Sequence, residues 1–135
     1  MADDPRRPPA ADPASRPDVA PAGVIDWPGL ESRYARRPAF VDRLAEVAVT
    51  SMCGVPALLR EHAAAGRTSD IAMLTHSLRT GTDVIMARTA RDLTEAVETA
   101  CHDGHADAAP LARSLADVVE QLLVALQCRL DSRSR

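Results

Sequence analysis

Ser69-Asp70-Ile71-Ala72-Met73-Leu74-Thr75-His76-Ser77-Leu78-Arg79-Thr80-Gly81-Thr82-Asp83-Val84-Ile85 is the stretch whose reading decides the fold. Wound as a helix at about 100° per residue, it brings Ile71, Leu74, Leu78, Gly81 and Ile85 within about 40° of one line. His76 falls on the far side of that line, and Ala72, Met73, Arg79, Thr80 and Asp83 share its outer face. An imidazole held out to solvent, with small neighbours and an arginine one turn away, is poorly placed for a core. It is well placed for a nucleophile that another protein must reach.

Downstream, a break near residues 83–86 leads to a second helix with Met86, Ala90, Leu93, Val97, Ala100 and Cys101 on one side, stopped by Asp103-Gly104. Asp107 caps the last helix, Pro110 sits in its first turn, and Leu111, Leu115, Val118, Leu122, Ala125, Leu126 and Leu130 form its stripe. Upstream, Asp26 or Gly29 starts a short helix through Leu30 and Tyr34, and Pro38 opens a longer one carrying Phe40, Leu44, Val47, Ala48, Val55, Leu58, Leu59 and His62. Gly54 and Pro56 predict a bend in it, Gly66 its end, and Thr68 or Ser69 the cap of the His76 helix.

Each helix has one apolar face, so four of them share one core. The expected fold is all-α: an antiparallel four-helix bundle over residues 24–131 with a short additional N-terminal helix. Residues 1–23 hold six of the ten prolines and almost no large apolar side chain, which predicts a disordered Pro/Ala-rich arm. Residues 132–135 read as a frayed tail.

Composition narrows the classes of function. The 135 residues suit one domain, and 46% apolar content with 2% aromatic favours helices packed through Ala, Leu and Val. The net charge is −3 and the arginines are scattered, which argues against a nucleic-acid surface. No apolar run approaches the ~20 residues of a membrane span, and no signal pattern opens the chain. Cys53, Cys101 and Cys128 are odd in number and far apart, as reduced thiols of a cytoplasmic protein would be.

The segment His76-Ser77-Leu78-Arg79-Thr80-Gly81-Thr82-Asp83-Val84-Ile85-Met86-Ala87 resembles the signature of histidine phosphotransfer (HPt) domains, close to His-x-Leu-Lys-Gly-Ser-Ala-x-x-x-Gly-Ala. His76, Leu78 and Ala87 match, and Arg79 preserves a charge. Leu30, Tyr34, Phe40-Val41, Leu44, Val55-Pro56-Ala57-Leu58-Leu59 and Gly66 upstream, and residues 93–98 with Gly104 downstream, extend the resemblance over residues 27–130. The family's small residue four after the histidine is Thr80 here, and its glycine ten after is Met86.

The resemblance implies a phosphoryl carrier rather than an enzyme. His76 would accept a phosphoryl group from the phospho-aspartate of a receiver domain and pass it to another receiver, with Arg79 and Thr80 steadying the phosphoryl oxygens. Ala72, Met73, Thr80 and Asp83 would form the docking face, where Asp83 opposes a phosphoryl group or selects a basic patch. The partners implied are receiver domains of response regulators and of a hybrid histidine kinase. Mg²⁺ and most catalytic groups belong to the partner, so the chain needs no cofactor of its own and is expected to be a monomer. The alternative is a helical adapter that binds the same domains through the same face without phosphorylation.

The residues themselves support part of this chemistry. A free imidazole titrates near 6.5, so about three quarters of it is neutral and nucleophilic at pH 7. Arg79 can offer charge-assisted hydrogen bonds. No carboxylate lies three or four residues from His76 to orient it, and no nucleotide-binding loop occurs. Cys101, His102 and His105 straddle a helix stop without a fourth ligand, so no metal site is expected. His62 reads as a packing residue.

Overall fold

The computed structural model describes residues 24–133. The predicted arm, residues 1–23, lies outside them. Among the described residues the regular structure is entirely helical: α1 (Trp27–Arg33), α2 (Pro38–Met52), α3 (Val55–Ala65), α4 (Thr68–Val84), α5 (Arg88–His102) and α6 (Ala108–Arg133).

Local chemistry sets most boundaries. Asp26 caps α1, its Oδ1 accepting from the Gly29 N–H at 3.0 Å. Pro38 and Pro56 stand in the first turns of α2 and α3, where a missing N–H breaks no helical bond. Gly66 ends α3 in the left-handed region at φ 68°, a conformation that costs glycine little. The α4 start differs from the expectation. Arg67 is its N-cap without a side-chain bond, and Thr68 is the first helical residue, its hydroxyl turned back to the Gly66 carbonyl. The frayed tail is corrected in part: α6 runs through Arg133, whose Nε lies 3.1 Å from Asp42 Oδ2.

The bundle is a closed ring. α2 and α3, separated by Cys53-Gly54, both lie along α6; α6 packs on α5, α5 on α4, and α4 on α3. Turns of a few residues join α3 to α4, α4 to α5 and α5 to α6, which obliges neighbours to run antiparallel. With 26 residues, α6 is about 39 Å long, enough to back both α2 and α3. Ion pairs mark the two halves of that contact: Arg129 to Asp42 on α2, and Arg60 on α3 to Asp117 and Glu120.

The core holds Leu59, Ile71, Ile85, Val97, Leu115, Val119, Leu122 and Leu126, separated by Ala45, Ala87, Ala90, Ala112 and Ala116, whose small side chains let the helices approach closely. α1 closes one end. Its Leu30 is buried, Trp27 lies under the Arg129 guanidinium at 4.7 Å, and Tyr34 donates its hydroxyl to the Val84 carbonyl. No helix among the described residues is long and apolar enough to cross a membrane.

Side-chain placement departs from simple periodicity on three helices. On α2 and α3, Phe40, Val47 and Leu58 are exposed while Val41, Ala45, Ala48 and Met52 are buried. On α4 the buried line is Ile71, Thr75, Leu78, Thr82 and Ile85; Leu74 and Gly81 are only half-buried. The helix is therefore rotated by about 40° from the predicted orientation, a change worked from 100° per residue. Thr75 and Thr82 enter the core because their hydroxyls bond the Ile71 and Leu78 carbonyls at 3.0 Å.

Candidate functional site

The rotation of α4 decides the surroundings of His76. Ala72, His76, Arg79 and Asp83 recur at i, i+4, i+7 and i+11, and together they border α5 instead of standing clear of it. Arg91, Glu95, Glu98 and His102 recur at the same spacing on α5. Because the helices are antiparallel, the two lines meet as a polar seam. Asp83 lies 3.7 Å from Arg91, Arg79 lies 3.8 Å from Glu95 and 3.4 Å from Glu98, and His76 lies 3.3 Å from Glu98.

His76 stands midway along α4 and its side chain is 78% exposed, as the sequence predicts. It is less isolated than predicted. Its Nδ1 faces Glu98 Oε2, and a carboxylate only accepts, so the contact is a hydrogen bond when Nδ1 carries the proton. In that tautomer the free lone pair is on Nε2, which bonds no described residue. Glu98 is the orienting carboxylate that local sequence spacing could not supply, because it comes from the next helix, 22 residues on. The matching spacing of the charged residues on α5 was the signal that could have found it.

Arg79 is one turn from His76, as expected, but its guanidinium is engaged by two carboxylates, donating to Glu98 Oε1 at 3.4 Å and pairing with Glu95. Thr80 is exposed on the outer side of α4. Ala72 is half-buried, and Met73, 71% exposed, is the largest apolar side chain on that face. Asp83 is exposed but already paired with Arg91, whose guanidinium is held protonated more strongly than usual by its hydrogen bond to Asp92 and by neighbouring carboxylates. A shallow groove of about 550 Å³ beside His76 is lined by Arg79, Glu95, Glu98, Thr99 and His102.

Met86, standing where the resembling family has glycine, has φ 56°. The Ala87 N–H returns to the Thr82 carbonyl and the Met86 N–H to that of Asp83, so this left-handed residue closes α4. That geometry is the physical reason for a glycine at such a position.

The residues set aside on sequence grounds stand apart from the seam or without ligand geometry. His62 is mostly buried, its Nδ1 accepting from Arg67 Nε at 3.1 Å. His105 Nδ1 accepts from the Asp107 N–H within the α5–α6 turn. No group of three or more His, Cys, Asp or Glu side chains among the described residues is placed to hold a metal ion.

Fold and site together define the class: an all-α bundle that displays a histidine, held at one ring nitrogen, midway along the outside of a long helix. No family model, curated protein or solved structure matches the chain.

Proposed function

We propose that this protein is a phosphoryl carrier of the histidine phosphotransfer type, working in the cytoplasm between receiver domains of response regulators and of a hybrid histidine kinase. The observation that carries the reading is the His76 ring: exposed, tied through Nδ1 to Glu98 and bonded at Nε2 to no described residue, with Arg79 one turn away. In the transfer, Nε2 attacks the phosphorus of a receiver's aspartyl phosphate. The P–O bond to the aspartate breaks, the carboxylate leaves, and the Nε2–P bond forms. The proton on Nδ1 stays in place, and Glu98 faces the positive charge that the ring acquires. Arg79 supports the phosphoryl oxygens and Thr80 can add a hydroxyl donor. The second transfer is the reverse, toward another receiver's aspartate. Mg²⁺ is the partner's, and the chain acts as a monomer.

A second reading, a phosphorylation-independent adapter for the same domains, is favoured by two observations: Arg79 is already neutralised by Glu95 and Glu98, and Met73 offers an apolar contact. Incubation with a phosphorylated receiver separates the two. The carrier reading expects label on the protein and none on His76→Gln, whose helical circular dichroism is unchanged. Binding of the receiver with no label on the wild type would establish the adapter instead.

A further inference from the structure

Glu95 and Glu98 both hold Arg79, but only Glu98 touches His76. The two carboxylates therefore stand in different relations to the chemistry. Glu98 orients the ring and faces its developing positive charge, which assists attack by Nε2. Glu95 does not touch the ring; it forms an ion pair with Arg79 at 3.8 Å, and that pairing competes with a phosphoryl group for the guanidinium. Asp83, the remaining carboxylate on that side of α4, is occupied by Arg91.

Resting on the phosphoryl-carrier reading, we propose that Glu95 is a regulating residue of the site. It tethers Arg79 toward α5 in the resting protein, and phosphorylation of His76 requires Arg79 to leave it. Neighbouring carboxylates on one helix thus act in opposite directions: loss of the Glu95 charge speeds phosphorylation of His76, and loss of the Glu98 charge slows it. Both ends of the tether are half-exposed, so its strength is that of a surface ion pair and its effect is modest and salt-sensitive.

The test uses the full chain and potassium phosphoramidate, a small donor that needs no receiver. Nε2 attacks its phosphorus, the P–N bond breaks and ammonia leaves, so every atom is accounted for. Phosphohistidine is followed by ³¹P NMR, with His76→Ala as the blank. Glu95→Gln is expected to raise the initial rate about two- to fivefold at low salt, with the gain fading in molar salt. In an Arg79→Gln background the same substitution is expected to change nothing. A gain that persists without Arg79 would overturn the proposal, because Glu95 would then act as a charge facing the donor. No gain at all would overturn it too. The ¹⁵N relaxation of Arg79 Nε separates the tether from the chemistry above it. If His76 never takes the label while Arg79 is freed in Glu95→Gln, the carrier reading fails and the tether stands. If Arg79 is equally restrained in both proteins, the tether fails whatever the rates.

Discussion

His76 Nδ1 and Glu98 Oε2 lie 3.3 Å apart across the α4–α5 boundary, although the two residues are 22 positions apart in the chain. The pair joins a mostly solvated ring to a carboxylate that is only 26% exposed, so the glutamate is the fixed member and the imidazole is the one positioned. The geometry resembles the way an acid orients a catalytic imidazole elsewhere, with less burial and therefore less leverage.

On the phosphoryl-carrier proposal, Glu98→Gln should leave the fold intact and slow phosphorylation of His76 by about three- to tenfold, the scale of one partly shielded charge-assisted hydrogen bond. The amide can still bond one ring nitrogen but no longer favours the Nδ1–H tautomer or offsets positive charge on the ring. Long-range ¹H–¹⁵N spectra should show the tautomer balance of His76 shifting in the variant. An unchanged balance and rate would remove Glu98 from the site.

The rotation of α4 has its own test. Thr82 is fully buried and Thr80, two residues earlier, is exposed. Thr82→Lys should cost about 3–5 kcal/mol or prevent folding, since it places an unpaired charge in the core. Thr80→Lys should stay within about 0.5 kcal/mol of wild type. Thr82→Val should also be near neutral, because the Leu78 and Arg79 carbonyls lose only their bonds from the hydroxyl. Urea titrations would read all three.

Acid should loosen the contact between α3 and α6. Arg60 bonds Glu120 at 2.8 and 2.9 Å and Asp117 at 2.7 Å. The hydrogen bond from Arg60 holds the Glu120 carboxyl below its usual range, against a smaller opposing effect of desolvation. A carboxyl with a lowered folded pKa contributes stability above its unfolded value and loses it as pH falls through the folded one. The same contact pushes Arg60 upward, where it stays charged throughout. Arg60→Ala should therefore be less stable than wild type at pH 7, and the gap should close progressively below the ordinary glutamate range. Urea midpoints from pH 7 to 3 would measure it.

The three thiols should differ in reactivity. Cys53 and Cys128 are exposed, whereas Cys101 is half-buried and its thiol is pushed up by burial, then by the Glu98 charge. Its thiolate is scarcer at any pH below that raised value. Iodoacetamide at pH 8 should modify Cys101 last, as peptide mapping over time would show. Glu98→Gln should narrow the difference slightly.

The amino-acid sequence by itself determined most of the helices, their stops at Gly66 and residues 103–104, the proline-opened starts and the exposure of His76. These depend on contacts within a few residues: caps, fixed φ values and a spacing of 3.6. It read the stretch from Pro38 to Gly66 as one bent helix, which the structure divides into α2 and α3 at Cys53-Gly54. Tertiary structure decided how each helix is turned about its own axis. That angle is set by the neighbours, so Thr75 and Thr82 displaced Leu74 and Gly81 from the centre of the buried face, and Phe40, Val47 and Leu58 were left outside. A threonine counted as polar can enter a core once its hydroxyl is satisfied by the turn before it. The same rotation brought His76 and Arg79 to Glu98. No local pattern around His76 contains that glutamate, because the partner arrives only when α5 folds back antiparallel along α4.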